Sequence, residues 1–127
     1  MTDARQSLGR HAENLVARAL RAGGATLLDR NARVPGVRGE LDLIALDGRD
    51  LVFVEVKALR AGNRAGPERP VLAVGPRKQA KIRALAAGWL AARRGRLPRF
   101  GAIRFDVVGL RLDGRQVVHW EHLRGAF

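Results

Sequence analysis

The chain has 127 residues, a length that fits one domain with a single hydrophobic core. Its 24 lysines and arginines outnumber its 12 acidic residues, so the formal net charge is +12, which favours polyanionic partners such as nucleic acid. All but three of the basic residues are arginine, and a compositional preference for arginine is an alternative source of this charge. The absence of cysteine excludes disulfides and thiolate metal sites.

The first residues are polar and lead directly into an amphipathic pattern, without the apolar stretch of a signal peptide or a membrane span. The arginines are scattered over every segment and are not concentrated on one helix face, which argues against a membrane surface as partner. We therefore expect a soluble, cytoplasmic protein.

Hydrophobic periodicity and turn residues predict two main helices and five strands. In chain order these are a helix at 7–22, strands at 25–34, 40–46 and 51–57, a helix at 76–94, and strands at 103–110 and 116–123. Residues 60–74 contain glycine, proline and charged residues without periodicity, and we interpret them as a mobile loop.

The two strands around the turn at 47–50 bring charged side chains together. Side chains alternate along a strand, so Glu55 and Lys57 share one face. If the residues that flank the turn pair with each other, Asp42 lies opposite Glu55. The same register puts Glu40 opposite Lys57. A tighter turn keeps the parity and leaves Asp42 diagonal to Glu55, within about 7 to 8 Å.

This cluster has the composition of a metal site. Two carboxylates that face each other repel unless a positive charge lies between them. Hard carboxylate oxygens suit Mg²⁺ or Mn²⁺, and such a cation could polarise a phosphodiester. Lys57 could orient water or neutralise charge that develops on the phosphate. The spacing alone is equally compatible with solvated cross-strand salt bridges.

Five motifs together resemble the YraN-like family of small bacterial proteins, which is grouped with the PD-(D/E)XK nucleases. The motifs are GRHAE at 9–13, GELDLI at 39–44, FVEVK at 53–57, KQ at 78–79 and RFD at 104–106. The resemblance implies one α/β, restriction-endonuclease-like domain over residues 1–127, with a mixed sheet of about five strands flanked by two main helices. It also implies Asp42, Glu55 and Lys57 as catalytic residues, although leucine precedes Asp42 where the PD dipeptide has proline.

The family is similar in layout to archaeal Holliday-junction resolvases, which implies Glu13 of the first helix as a further metal ligand beside Asp42 and Glu55. From helix geometry alone, Glu13 lies at the border of the apolar stripe and can reach the sheet or face water. The resemblance also implies that Lys78, with Gln79, points toward the catalytic edge.

Two of these residues have an alternative interpretation. Lys78 lies on the apolar face of the second helix, where its aliphatic chain could simply cover the core. Glu40 is either a ligand or the cross-strand partner of Lys57, and we favour the partner.

Three other residues could be mistaken for metal ligands. Asp106 lies two residues after Arg104, and a carboxylate that holds a basic side chain is the expected structural role. His119 and His122 are three residues apart on a strand, which puts them on opposite faces, and we expect both to be exposed to solvent.

These observations predict a nucleic-acid-binding, divalent-metal-dependent endonuclease that hydrolyses phosphodiester bonds in structured or branched DNA. The basic residues expected to hold phosphates are Arg10, Arg60, Arg77 and Lys81. The alternative is a non-catalytic nucleic-acid-binding module, since a fold does not imply an activity. A scaffold whose basic face meets an acidic protein is a third class. If the resolvase resemblance holds, we expect a homodimer.

Overall fold

The computed structural model of the chain describes residues 3–63 and 69–127. Its elements, in chain order, are α1 (Ala4–Ala22), β1 (Thr26–Val34), β2 (Val37–Asp47), β3 (Asp50–Arg60), a short 3₁₀ helix (Pro70–Ala73), α2 (Pro76–Ala92), β4 (Ile103–Asp113) and β5 (Gln116–Leu123). The five strands form one mixed sheet against which the two main helices pack. The predicted α/β fold is confirmed, and the layout is consistent with a restriction-endonuclease-like arrangement.

The strands lie in the sheet in the order in which they occur in the chain. Neighbouring strands are antiparallel except β3 and β4, which are parallel and pair from Leu51 with Ile103 to Arg60 with Leu112. A parallel pair needs a long crossover connection, which α2 supplies. β3 therefore lies at the centre of the sheet, with a strand on each side.

Different helices cover the two faces of β3. Phe53 belongs to the cluster around α2, where its ring meets that of Trp89 edge-on, with centroids 5.8 Å apart. The next residue, Val54, belongs to the cluster around Val16 of α1. The predicted alternation is confirmed, and it puts Glu55 on the face that α2 covers.

Both predicted helices are present, with shifted ends. α1 begins at Ala4, before the predicted start, because the carboxylate of Asp3 accepts a hydrogen bond from the N–H of Gln6 at 2.9 Å and caps the helix. α2 begins at Pro76 as predicted and ends at Ala92, slightly before the predicted end. Within the described residues, neither helix combines the length and the apolar character needed to cross a bilayer.

Part of the segment predicted as a loop, residues 60–74, has regular structure. Arg60 ends β3, and Pro70–Ala73 forms the 3₁₀ helix, in which Val71 is buried. Residues 64–68, which also belong to the predicted loop, lie outside the described residues. The 3₁₀ helix packs on Gly109 of β4, where an added Cβ would lie 2.6 Å from the backbone nitrogen of Val71. The close approach therefore depends on glycine at this position.

Gly109→Ala should lower the free energy of unfolding by about 1–3 kcal/mol, because the new methyl group meets backbone that cannot move aside like a side chain. Gly9→Ala in α1 is the matched control, since nothing lies within 4 Å of its added Cβ. It should raise the free energy of unfolding by roughly 0.5–1 kcal/mol. Urea unfolding followed by circular dichroism measures both. Equal stability of Gly109→Ala and wild type would show that the fold tolerates a displaced 3₁₀ helix.

Candidate active site

The β2–β3 hairpin has the predicted register. Leu46 pairs with Leu51, and the same register continues as far as Leu43 and Val54. The regular pairing of the two strands ends there, and the next residue of β2 is Asp42. The candidate site therefore begins where the hairpin ladder stops.

Asp42 is bonded through its side chain to the main chain of β3. Its Oδ2 atom accepts a hydrogen bond from the N–H of Val56 at 2.9 Å. Glu55, which precedes Val56, is 5% exposed. The carboxyl groups of Asp42 and Glu55 are close enough for the negative charge of Glu55 to raise the pKa of Asp42. The predicted proximity of these two acids is confirmed.

The two carboxyl groups influence each other strongly. Burial of the Asp42 carboxyl, and then the negative charge of Glu55, raise the pKa of Asp42 from 3.8 to about 7, although the hydrogen bond from Val56 opposes this rise. The pair therefore requires either a proton or another positive charge to relieve the repulsion.

A lysine of α2 supplies one positive charge. The Nζ atom of Lys78 lies 3.5 Å from Oε1 of Glu55, and the Lys78 side chain is 40% exposed, so it reaches from the surface to a buried acid. The predicted direction of Lys78 is confirmed. The amide of Gln79 donates to the carbonyl of Val74 at 3.0 Å and ties the start of α2 to the preceding segment.

Asn31 of β1 holds two further acidic candidates. Its Nδ2 atom donates to Oε1 of Glu13 at 3.0 Å and to Oε1 of Glu40 at 3.3 Å. Glu40 also lies 3.5 Å from the guanidinium of Arg33. The predicted pairing of Glu40 with Lys57 is therefore wrong, because β2 pairs here with β1 after its regular pairing with β3 has ended.

Glu13 lies at the margin of the carboxyl pair. Its side chain is 13% exposed, so it faces the sheet and not the solvent. Burial raises the pKa of Glu13; the hydrogen bond from Asn31 opposes the rise, and the negative charge of Asp42 adds to it. Within residues 3–63 and 69–127, no three His, Cys, Asp or Glu side chains converge closely enough to hold one metal ion. The third ligand that the resemblance implied is thus not assembled with the other two.

Sequence reasoning did not identify Asn31. The available signal was its position inside a strand, where asparagine is unfavourable unless its amide has a specific partner. Its φ of 47° is the only positive value among the described residues that are not glycine. Asn31 thus has an unusual backbone conformation at the place in β1 where its amide binds Glu13 and Glu40.

Lys57 follows Glu55 by two residues on β3 and shares its face. It is partly buried, and it has no carboxylate partner in the part of the chain that the structure describes. Its neighbour in the parallel ladder is Gly109, the residue beneath the 3₁₀ helix. An ammonium group without an acidic partner is available to an anion from outside the chain.

The basic residues predicted to hold phosphates occupy different places. Arg77 and Lys81 line a cavity of about 420 Å³ at the start of α2, together with Lys78. Arg10 is exposed on α1, and Arg60 is exposed at the end of β3, near the start of α1. Of the four predicted phosphate-binding residues, Arg77 and Lys81 therefore lie next to Lys78, whose Nζ atom contacts Glu55.

Asp106 is structural, as predicted. It accepts hydrogen bonds from Nε of Arg104 at 2.9 Å, from Nε2 of His122 at 2.8 Å and from the N–H of Gly125 at 3.0 Å. Burial alone would raise the pKa of Asp106, but these hydrogen bonds outweigh burial and lower it. The predicted exposure of His122 is wrong, since this contact leaves its side chain 14% exposed; that of His119 is 41% exposed.

The raised pKa of Asp42 predicts a pH dependence of stability. Because the pKa is about 7 in the folded chain and 3.8 ordinarily, the contribution of this group is fully present below pH 3.8 and is lost as the pH rises through 7. Asp42→Asn keeps an acceptor for Val56 and a donor for Glu55 but cannot ionise. We expect it to exceed wild type in stability by about 1–3 kcal/mol near pH 8 and to match it near pH 4.

Urea unfolding over this pH range, in buffer with EDTA, measures the difference. Asp113→Asn removes an exposed carboxyl in the β4–β5 turn, and its difference from wild type should not change with pH in this window. A difference between Asp42→Asn and wild type that stays constant with pH would contradict the raised pKa.

Comparison with known proteins agrees with the motifs. The sequence profile described as "Uncharacterised protein family UPF0102" matches residues 12–110. A UPF0102 protein of Frankia alni is 49% identical over 124 residues, which cover 98% of this chain and 97% of that protein. One from Streptomyces coelicolor is 42% identical over 123 residues (97% and 90%), and one from Syntrophotalea carbinolica is 44% identical over 127 residues (100% and 96%). The chain therefore belongs to the bacterial UPF0102 family, the YraN-like family that its motifs resemble.

Proposed function

We propose that this chain is a divalent-metal-dependent endonuclease that hydrolyses phosphodiester bonds in structured or branched DNA. The observation that carries the proposal is the Asp42–Glu55 carboxyl pair at the end of the β2–β3 ladder, in which Glu55 is buried, Asp42 is partly buried and the Nζ atom of Lys78 lies 3.5 Å from Glu55. Adjacent buried acids are costly, and such pairs concentrate at functional sites. The preference for branched DNA rests on the similarity of the family's layout to Holliday-junction resolvases.

The carboxyl pair fits a hard cation such as Mg²⁺ or Mn²⁺. Asp42 and Glu55 would hold it, since a cation relieves the same repulsion that raises the pKa of Asp42. Mg²⁺ commonly binds through only one or two carboxylates, so a third protein ligand is not required. When bound, the cation supplies polarisation of a phosphoryl oxygen. Glu13, which Asn31 holds, contributes negative charge from the margin.

The two lysines of the site have different roles in this proposal. Lys78 offsets the charge of Glu55 and keeps its carboxylate in place at 3.5 Å. Lys57 contacts the phosphate or positions the attacking water, because it shares the face of Glu55 and has no carboxylate partner among the described residues. A phosphodiester held at the carboxyl pair would lie within reach of both.

Arg77 and Lys81 extend this site along the start of α2. Together with Lys78 they concentrate positive charge at a helix N-terminus, where backbone N–H groups also favour anions. Arg10 and Arg60 would add phosphate contacts farther away. Aromatic residues make up 5% of the chain and tyrosine is absent, so backbone contact with a duplex is favoured over stacking on bases.

A homodimer is part of the proposal, because a symmetric junction offers two equivalent strands to cut. The edge strand β5 supports self-association. Its Val118 and Trp120 side chains lie among the exposed large hydrophobic residues, at 55% and 39% exposure. Exposed apolar residues on an unpaired strand favour contact with a second chain.

A non-catalytic nucleic-acid-binding module is the second candidate. One observation favours it: no cluster of three potential metal ligands exists among the described residues. The Asp42–Glu55 pair can also be satisfied by a shared proton, without any cation. In this case the basic surface would bind nucleic acid, and the Asp42–Glu55 pair would have no catalytic role.

Glu55→Gln and Lys57→Met should each lower the rate of DNA cleavage by about 100-fold or more, because each removes a charged group beside the reacting phosphate. The assay uses labelled duplex, flap and four-way-junction DNA with Mg²⁺ or Mn²⁺, and with EDTA as the blank. Asp113→Asn, the exposed acid of the β4–β5 turn, should cut at the wild-type rate. Cleavage that both variants leave unchanged, or that wild type lacks, would exclude the endonuclease.

Arg77→Ala and Lys81→Ala should each weaken binding to duplex DNA and reduce the slope of log affinity against log salt by about 0.9, the effect of one lost phosphate contact. Arg18→Ala is the control, because Arg18 is exposed on α1, which packs on the other face of the sheet. Fluorescence anisotropy with labelled duplex at several salt concentrations measures the slopes. Binding by wild type without salt dependence would argue against both candidate functions.

A further inference from the structure

A second feature of the molecule lies at the opposite end of the sheet from the carboxyl pair. A cavity of about 630 Å³ opens between the β2–β3 turn, the end of α2 and residues 95–100. Its floor is apolar: Leu90, Leu97 and Phe100 line it, and all three are partly buried side chains that pack on the core cluster under α2. A concave apolar surface of this size can enclose one or two large side chains of another molecule.

The rim of this cavity is positively charged. Arg49 approaches from the β2–β3 turn, and Arg94 and Arg99 approach from the segment after α2. All three are exposed, and none has a carboxylate partner within residues 3–63 and 69–127. We call this feature the arginine-rimmed cavity.

The nearby acids form ion pairs with another arginine and not with those of the rim. Asp47 and Asp50 flank Arg49 in the β2–β3 turn, yet their carboxylates lie 2.9 Å from the guanidinium nitrogens of Arg104. Arg104 also holds Asp106, so three carboxylates converge on one side chain. None of these three carboxylates therefore occupies a guanidinium group of the rim.

Distance separates the arginine-rimmed cavity from the candidate active site. Lys78 lies in the first turn of α2 and Leu90, which lines the cavity, lies in its last turn, which corresponds to about 18 Å along the helix axis. Arg49 lies in the turn before β3 and Glu55 lies in the middle of β3, so the two are roughly 20 Å apart along the chain direction of the strand. A ligand of the cavity would thus not be the phosphodiester that reacts.

We propose that the arginine-rimmed cavity binds an acidic protein segment that carries a large apolar side chain. The apolar side chain would fill the space above Leu97 and Phe100, and neighbouring carboxylates would pair with the guanidinium groups of the rim. The phosphate backbone of nucleic acid offers the negative charge but leaves the apolar side chains of the floor without a matching group. The net charge of +12 would speed the approach of an acidic partner.

The test uses a fluorescein-labelled peptide of several aspartates followed by leucine and phenylalanine, with fluorescence anisotropy on the full chain. The double variant Arg94→Glu/Arg99→Glu should weaken binding by about 10-fold or more, because it reverses the charge of the rim. The double variant Arg5→Glu/Arg18→Glu changes the net charge equally on exposed positions of α1 and should weaken binding by no more than about 2-fold. Circular dichroism confirms that each variant is folded.

A second arm varies the peptide and leaves the protein unchanged. Replacing its leucine and phenylalanine by glycine should weaken binding by about 10-fold, since the cavity floor then has no apolar group to cover. Undetectable binding of the first peptide, equal losses in the two double variants, or equal affinity for the glycine peptide would each overturn the proposal. It would also be overturned if Arg94→Glu/Arg99→Glu weakened duplex DNA binding while leaving peptide binding intact, which would make the cavity a nucleic-acid contact.

Discussion

The hydrogen bond from the N–H of Val56 to the carboxylate of Asp42 determines how the candidate site is built. In a regular antiparallel ladder a main-chain carbonyl of β2 would accept from this N–H group. Here a side chain does so, and β2 continues along β1 without further regular pairing to β3. The carboxylate is thereby fixed between two strands, next to Glu55 and between the cores on the two faces of the sheet. Because the two carboxyl groups are fixed there, Lys78 can pair with Glu55, and Lys57 lies beside the pair on β3.

Two acids of the chain that are largely removed from water, Asp106 and Asp42, differ in the partners that compensate their charge. Asp106 receives hydrogen bonds from Arg104, His122 and the main chain, and its pKa falls. Asp42 receives one main-chain hydrogen bond and has a second acid beside it, so its pKa rises. The carboxylate of Asp106 is fully compensated and serves the structure, whereas that of Asp42 is incompletely compensated and is suited to the cation site that we propose.

The register of the hairpin and the proximity of its two acids could be predicted because they depend on local patterns. A tight turn fixes the register, and the twofold alternation of a strand then predicts that Asp42 and Glu55 are close, and the structure shows that they interact. The same reasoning failed for Glu40, because alternation holds only while regular pairing continues. The contacts of His122 depend on β4 and β5 together with the C-terminal segment, and no local pattern contains that information.

Helix ends could likewise be predicted from local sequence, whereas the partners of charged residues could not. The early start of α1 could have been found from the Asp3 cap and Gln6, since capping is a local signal. The convergence of Asp47 and Asp50 on Arg104 could not, because it joins residues that the crossover through α2 brings together. The composition gives the total number of arginines. Which of them remain without an acidic partner is a property of the tertiary structure.

The parallel pairing of β3 with β4 also has a consequence for the order in which the molecule folds. Leu51 and Ile103 are neighbours in the sheet but are separated by about 50 residues of chain, so this contact requires the closure of a large loop. The β2–β3 hairpin closes a much smaller loop and can form first. The two acids of the hairpin then remain in contact with water until α2 and β4 dock on it. The two acids thus lose their contact with water late in folding. The free-energy cost of burying them then arises when the contacts of the rest of the sheet can offset it.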